Sequence, residues 1–237
     1  MAGPLLLLSA TDLEAAPALE ALVGEAVACA WGRAWQGRLG AVDAVLLCAG
    51  VGKANTAAGT ALAIQRWQPR AVLQFGIGGA YVGSFLSVGT AAFASSETHI
   101  DSGAGEGDAW RDLRSLGFPL LAGPPPHYNE IPTDAALTRA LAERLRLPSV
   151  RFATTERITD DLDEGERLQR RLDLSVESME GAAAAQVCLG LGVPFAELRA
   201  VSNVVGERDR SSWDVRAAVR AVNDAVAAAL ADAVAPA

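Results

Sequence analysis

The chain has 237 residues, of which 51% are hydrophobic and 20% are charged, and its formal net charge is −8. This composition predicts a folded protein with a large core, and the acidic balance argues against a nucleic-acid or anionic-membrane surface. Three cysteines without a C-x-x-C pair exclude a cysteine zinc site and favour a reducing compartment, so we expect a cytoplasmic protein.

Short apolar runs alternate with helical patterns along the whole chain. Strands are predicted over residues 5–9, 31–40, 44–48, 71–75, 89–95, 150–154, 173–177 and 195–202. Helices are predicted from about residue 12 and over 53–67, 133–146, 180–191 and 213–234. The glycine- and proline-rich stretch from about 101 to 131 is expected to form a long loop. This alternation predicts one α/β domain over residues 1–237 with a largely parallel central sheet.

Ligands of such folds lie where parallel strands end. The turns after Ser9, Cys48, Phe75, Glu177 and Val201 are therefore expected to converge at one edge of the sheet. We expect the functional side chains at this edge.

The stretch "CAGVGKANT" at residues 48–56 has glycines and a lysine between a strand and a helix, as a phosphate-binding loop does. A P-loop would need a glycine at Leu47 and a hydroxyl at Ala54, and neither is present. The stretch "FGIGGAY" has Tyr81 in place of the third glycine of a dinucleotide motif. We interpret "GVG" as a tight turn whose backbone approaches a ligand without a triphosphate.

Several charged and polar residues lie near the predicted strand ends. Glu14 falls in the first turn of a helix, where the helix dipole alone also favours a carboxylate. Glu180 precedes four alanines, and a carboxylate in such apolar surroundings needs a partner or a ligand. Arg199 lies inside an apolar strand and requires a carboxylate to balance it. Together with Ser202 and Asn203, these residues form a set suited to acid–base chemistry and multidentate hydrogen bonding.

The motifs "GVGKANTAA", "FGIGGAY", "VESMEGAAAAQVC" and "ELRAVSNVV" resemble, in order, those of the nucleoside phosphorylase superfamily. The resemblance covers nearly the whole chain and implies a three-layer αβα fold with a central mixed, largely parallel sheet. Through "SATDLEAAPAL" and "SNVVGERDRSSWD" the chain is most similar to the nucleosidase branch, which uses water in place of phosphate. This implies cleavage of a 6-oxopurine nucleoside, with futalosine as the expected substrate, hypoxanthine as the released base and menaquinone biosynthesis as the pathway. It also implies a homodimer or higher homo-oligomer that needs no cofactor and no metal.

The resemblance also implies roles for individual residues. Glu14 matches the carboxylate that activates water, and Arg199 matches an arginine beside it. Met179 and Glu180 match the pair that contacts the ribose. The backbone near the site is that of Val51, Gly52, Ile77 and Gly78. Ile77 departs from the serine that the nucleosidases often have there, so water placement is expected to depend on Glu14 and Arg199.

The remaining matched residues concern the base and the 5′ group. Ser202 and Asn203 match the serine–aspartate pair at the purine, and Asn203 holds the leaving base. An amide donates without being protonated and suits a 6-oxo group together with N7, which points to hypoxanthine. Arg208 and Arg210 follow this motif and are candidate contacts for the benzoate carboxylate of futalosine.

Three alternatives stay open at this point. A methylthioadenosine or S-adenosylhomocysteine nucleosidase is disfavoured by Asn203. A purine nucleoside phosphorylase is disfavoured because Arg33 and Arg38 are the only basic residues between Ser9 and Gly50. A non-catalytic nucleoside-binding protein on the same fold would leave Glu14 without a purpose.

Overall fold

A ten-stranded mixed sheet forms the centre of the molecule in the computed structural model, which describes residues 3–231 apart from the side chain of Asp108. The strands are β1 (Leu5–Ser9), β2 (Leu22–Val27), β3 (Arg33–Leu39), β4 (Val42–Cys48), β5 (Ala71–Ala80), β6 (Ala91–His99), β7 (Gly103–Ala104), β8 (Arg111–Asp112), β9 (Glu130–Pro132), β10 (Ser149–Thr154), β11 (Val176–Ser178) and β12 (Phe195–Val204). Strands β7 and β8 pair separately from the main sheet.

Helices cover both faces of this sheet. They are α1 (Asp12–Ala21), α2 (Lys53–Trp67), α3 (Leu113–Leu116), α4 (Ala135–Leu145), α5 (Leu162–Leu172), α6 (Gly181–Leu191) and α7 (Val215–Ala231). Alternate residues of β1 point to opposite faces. Leu5 and Leu7 pack in the core that α1, α4 and α7 cover, whereas Leu6 and Leu8 pack in the core of α2 and α6. The predicted three-layer αβα arrangement is confirmed.

The sheet order is β11-β10-β6-β12-β5-β1-β4-β3-β2. The pairings β4–β1, β1–β5 and β5–β12 are parallel, and so are β6–β10 and β10–β11. The β12–β6 pairing and the hairpins of β2, β3 and β4 are antiparallel, so the predicted mixed sheet is confirmed. Strand β11 also pairs with β5 in the antiparallel direction and thereby closes a ring of five strands, β5, β12, β6, β10 and β11.

The strands that carry the expected site run differently from the prediction. Strands β5 and β12 do not end near Phe75 and Val201 but continue to Ala80 and Val204. Strand β11 runs antiparallel to β5, so the turn that follows it does not lie at the carboxyl end of β5. Phe75 and Val201 are therefore not followed by turns, and this part of the prediction is wrong. The segments after Ser9, Cys48 and Glu177 nevertheless meet against β5 and β12. Glu14 accepts from the backbone N–H of Ile77, and Glu180 accepts from Gly52 and Arg199.

Other elements also depart from the prediction. Strand β2 and helix α5 were not expected, and the stretch from 101 to 131 contains α3 and the short strands β7, β8 and β9. The final helix is described over Val215–Ala231, and the predicted continuation to 234 lies outside the described residues. Within residues 3–231, no helix has the length and apolar character needed to cross a membrane.

Candidate active site

The buried guanidinium of Arg199 lies at the centre of a cluster of carboxylates. Its Nε donates to Glu197 Oε1 over 2.8 Å, and its Nη2 donates to Glu180 Oε2 over 3.2 Å. Its Nη1 donates to the carbonyl oxygen of Ile77 over 3.0 Å and lies 3.9 Å from Glu14 Oε1. The structure thus brings Glu14 and Glu180, which are 166 positions apart in the chain (180 − 14), to the two ends of one guanidinium.

Glu14 is held in place from both sides of its carboxyl group. Its Oε2 accepts from the backbone N–H and the hydroxyl of Thr11, over 3.0 and 2.8 Å, in the capping box at the start of α1. Its Oε1 accepts from the backbone N–H of Ile77 over 3.0 Å. The helix-terminal interpretation of Glu14 therefore applies, and the same carboxylate also reaches the Arg199 cluster.

Gly76 makes this approach possible. A Cβ at this position would lie 2.5 Å from Glu14 Oε1 and 2.7 Å from Arg199 Nη1, which is closer than real Cβ contacts allow. The side chain of Glu14 and that of Arg199 therefore meet over a strand position that has no side chain.

Glu180 directly precedes α6, and its Oε1 accepts from the backbone N–H of Gly52 over 3.1 Å. Burial raises the pKa of this carboxyl, the Arg199 guanidinium lowers it, and the nearby Glu14 raises it further. The group is thus a desolvated carboxylate whose negative charge depends mainly on Arg199.

The glycine turn between β4 and α2 supplies that N–H. Gly50 and Gly52 have φ values of 104° and 93°, in the region that favours glycine, so the predicted tight turn is confirmed. The Lys53 ammonium lies 2.5 Å from Asp101 Oδ1 in an ion pair. Glu156 accepts the backbone N–H of Lys53 over 2.6 Å at the start of α2. The lysine of "GVGK" is therefore engaged by a carboxylate at the start of the helix.

The three carboxylates around Arg199 differ in their access to solvent. The side chains of Glu14 and Glu180 are 7% and 5% exposed to solvent, whereas that of Glu197 is fully buried. Burial lowers the pKa of Arg199, but the charges of Glu197, Glu180 and Glu14 outweigh it, so the guanidinium stays charged. Glu14 and Glu180 are therefore the members of the cluster with a surface for a ligand.

Ser202 and Asn203 form a second group beside the cluster. The β5–β12 pairing shifts register between Val201 and Asn203, so that Asn203 pairs with Gly79. The Ser202 hydroxyl lies 2.7 Å from Asn203 Oδ1 and 3.2 Å from the carbonyl oxygen of Gly78. Asn203 Nδ2 donates to the backbone carbonyl of Val204 over 3.0 Å. The two groups are linked through β5, because Ile77 contacts Arg199 and the adjacent Gly78 contacts Ser202.

The other predicted residues are exposed or half-buried. Met179 is half-buried beside Glu180 in sequence, and Val51 is exposed in the glycine turn. Arg208 and Arg210 are exposed on the segment after β12, where their guanidinium carbons lie 5.4 and 6.0 Å from the centre of the Trp213 ring. Both therefore contact Trp213. The described partners of the Arg199 guanidinium are carboxylates and a carbonyl, and do not include these two residues.

Sequence reasoning missed Glu197, Glu97, Thr11 and Gly76. Glu197 precedes Arg199 by two residues, and this spacing places both side chains on one face of a strand. That signal pointed to a partner for the arginine. Thr11 and Glu14 have the spacing of a capping box. The contacts of Glu97 and Gly76 arise from strands that are distant along the chain, so no local pattern reports them.

A surface cavity of about 480 Å³ lies against α4 and does not coincide with this cluster. Its lining includes Thr138, Arg139 and Glu143 but neither Glu14, Glu180 nor Arg199. We place the candidate site at the Arg199 cluster, because the chemistry-bearing side chains converge there.

Comparison with known proteins identifies the family of this chain. The sequence model of the Phosphorylase superfamily matches residues 4–235, and the chain belongs to this family. A curated relative from Thermus thermophilus, named futalosine hydrolase, is 41% identical over 228 residues, which are 96% of this chain and 95% of the relative. A futalosine hydrolase from Streptomyces coelicolor is 36% identical over 187 residues, 76% of each chain.

A solved structure shares the fold. It is a 5′-methylthioadenosine/S-adenosylhomocysteine nucleosidase from Colwellia psychrerythraea, with a TM-score of 0.83 and 22% identity over 97% of this chain and 95% of that chain. The family match over residues 4–235 confirms the predicted membership of the nucleoside phosphorylase superfamily.

Replacing Arg199 by methionine should destabilise the folded protein. The change leaves three buried carboxylates without their counter-charge, and breaking a buried ion pair in this way costs about 3–5 kcal/mol. The matched control is Arg170→Met, because Arg170 is 66% exposed and pairs with Glu166 on one helix. The control should change the free energy of unfolding by less than about 1 kcal/mol. Urea unfolding of both variants measures the difference, and equal effects would contradict the central role of Arg199.

Proposed function

We propose that this enzyme hydrolyses the N-ribosidic bond of futalosine and releases hypoxanthine and the dehypoxanthinyl ribose product. The observation that carries the proposal is the placement of Glu14 and Glu180 at the two ends of the Arg199 guanidinium. The 41% identity to a futalosine hydrolase over nearly the whole chain supports the choice of substrate.

Glu14 is the proposed base for the attacking water. Cleavage of an N-ribosidic bond builds positive charge on the ribose and negative charge on the base, so a carboxylate that delivers water to the sugar lowers the barrier. Thr11 and Ile77 fix the Glu14 carboxylate with three hydrogen bonds, which keeps its orientation when a proton is transferred. Arg199 Nη1 lies 3.9 Å from Glu14 Oε1, so the guanidinium is next to the proposed position of the water.

Glu180 is the proposed ribose ligand. The backbone N–H of Gly52 and the Arg199 guanidinium each hold one of its oxygens, so the carboxylate is fixed relative to α6. A carboxylate accepts from both hydroxyls of a ribose diol, which are donors in the required geometry. Met179, the preceding residue, is the proposed apolar contact of the sugar.

Asn203, with Ser202, is the proposed ligand of the leaving base. Ser202 lies beside Asn203 Oδ1, an arrangement that leaves Nδ2 as the donor of the amide. An amide N–H stabilises the negative charge that develops on the base at N7. It is also compatible with a 6-oxo group, because an amide donates without first being protonated. This supports a 6-oxopurine leaving group over adenine.

Arg208 and Arg210 are the proposed contacts of the 5′ group. Both guanidinium groups are exposed and lie against Trp213, on the segment that follows Asn203 by a few residues. A guanidinium binds a carboxylate in a bidentate manner, and the benzoate of futalosine carries such a group. A role in menaquinone biosynthesis, a cytoplasmic location and assembly as a homo-oligomer stay predictions.

The purified protein should release hypoxanthine from futalosine at the same rate with and without phosphate. Glu14→Gln should lower kcat by roughly 10²–10⁴-fold, because general-base catalysis contributes that much. Glu20→Gln, an exposed glutamate on the same helix, is the matched control and should retain full activity. Hypoxanthine is quantified by chromatography.

The alternatives give different results in the same assay. Dependence on phosphate would indicate a phosphorylase. Adenine release from methylthioadenosine without action on futalosine would indicate the other nucleosidase. Binding without turnover would indicate a sensor protein.

Asn203→Asp should weaken action on 6-oxopurine nucleosides. A buried polar mismatch at the base is expected to lower kcat/KM for futalosine by about tenfold or more, whereas activity on a 6-aminopurine nucleoside should fall less. The ratio of the two kcat/KM values measures specificity separately from general damage. An unchanged kcat/KM for futalosine would refute the role of Asn203.

Arg208→Ala and Arg210→Ala should raise KM for futalosine and leave inosine, which lacks the benzoate, little affected. Loss of one charged hydrogen-bonding partner is expected to change KM by about tenfold. Arg220→Ala, an exposed arginine on α7, is the control. Equal losses on both substrates would remove the proposed carboxylate contact.

A further inference from the structure

Two fully buried glutamates meet at the start of α6, and one of them contacts Arg199. Glu97 is on β6 and Glu197 is on β12, and both have 0% exposure. A Cβ at Gly181 would lie 2.3 Å from Glu97 Oε1 and 2.2 Å from Glu197 Oε2. The inner oxygens of the two carboxyl groups therefore meet over the first residue of α6, which has no side chain.

The outer oxygens of the pair both have donors. The backbone N–H of Ala182 donates to Thr154 Oγ1 over 2.8 Å, and the Thr154 hydroxyl donates its hydrogen to Glu97 Oε2 over 2.6 Å. At the other end, Arg199 Nε donates to Glu197 Oε1 over 2.8 Å. Among the described residues, the inner oxygens Glu97 Oε1 and Glu197 Oε2 have no donor.

Two buried carboxylate oxygens that face each other with no donor would repel, and each would lack a hydrogen bond. One proton removes both problems, because a protonated acid donates to its neighbour. Thr154 already donates to the outer oxygen of Glu97, and Arg199 already neutralises Glu197. The proton therefore belongs on Glu97 Oε1.

We propose that Glu97 is a neutral carboxylic acid that donates a hydrogen bond to ionised Glu197, and that this pair positions Arg199. The carboxylate of Glu197 fixes the Nε edge of the guanidinium. The Nη1 and Nη2 edges are then directed to Glu14 and Glu180. Glu97 and Glu197 are positioning residues that act through Arg199 and do not contact the substrate.

The surroundings of Glu97 favour its neutral form. Burial raises its pKa most, the charge and hydrogen bond of Glu197 raise it further, and Thr154 and Arg199 lower it. Other titratable groups on the packed elements include Glu180, at the start of α6, Tyr81, after β5, and His99, two residues along β6. Burial lowers the pKa of His99 to about 4 and raises that of Tyr81, so both are neutral at pH 8. Arg199 is therefore the cation of this set, and Glu197 and Glu180 already contact it directly.

Glu177 provides an internal comparison. It is also a buried glutamate, but its oxygens accept from the Tyr81 hydroxyl and from the N–H and hydroxyl of Thr159, over 2.7, 3.1 and 2.6 Å. Three donors satisfy an ionised carboxylate, so no proton is required there. Burial alone therefore does not distinguish the two sites, whereas the number of donors does.

Infrared spectroscopy of protein labelled with carboxyl-¹³C glutamate tests the proposal without any substrate. Wild-type protein at pH 8 should show the carbonyl band of a protonated glutamic acid, and Glu97→Gln should lose it. Glu177→Gln is the control and should keep the band. Absence of the band in the wild type, or its persistence in Glu97→Gln, would overturn the proposal. If Glu97→Gln does not fold, Glu97→Asp removes the labelled group and should lose the same band.

Activity gives the second readout and rests on the proposed function. Glu97→Gln replaces the neutral acid with a neutral amide that can donate to Glu197 and accept from Thr154, so kcat should stay within about threefold of the wild type. Glu197→Gln removes the carboxylate charge that faces Arg199 Nε. This change should lower kcat by about tenfold to a hundredfold, with a smaller change in KM. Equal damage in the two variants would overturn the positioning role. A protein inactive on futalosine would still show or lack the infrared band, so the two proposals fail separately.

Discussion

A buried arginine on a central strand is the constraint on which the rest of the site depends. Taking a guanidinium out of water costs several kcal/mol unless charges and hydrogen bonds compensate for it. Glu197, Glu180 and the carbonyl oxygen of Ile77 provide these bonds, and Glu14 lies within 3.9 Å. Because the arginine cannot remain buried without these partners, folding and assembly of the site are one event.

Glycines leave the space in which the charged side chains approach one another. Gly76 leaves room on β5 for Glu14 and Arg199 to meet, and Gly181 leaves room at the start of α6 for the carboxyl pair. Gly52 turns its N–H towards Glu180. In each case a Cβ would occupy the space that a polar atom needs. Glycine is therefore required at these positions by close approach, as well as by turn geometry at Gly52.

The candidate site was predictable where the position of a single residue requires a particular kind of partner. Arg199 in an apolar strand required carboxylates, and the structure provides them at Glu14 and Glu180. The direction of β11 was not predictable, because three residues carry no signal of parallel or antiparallel pairing. Strand β11 pairs with β5 in the antiparallel direction, and the residues after it bring Glu180 to Arg199 in the middle of β12. Glu97 was missed because its partner lies on a strand about a hundred residues away.

The three layers were implied by the family resemblance, whereas the sequence by itself determined the alternation of strands and helices, most of their positions, the glycine turn and the residue types of the site. These follow from local periodicity, and from the free-energy cost of burying a charge alone. Only the tertiary structure decided which carboxylates share Arg199, and that Glu197 rather than Glu14 holds its Nε. Strand direction, register shifts and close approach set those contacts. They depend on the packing of residues that are far apart in the chain, which no local pattern encodes.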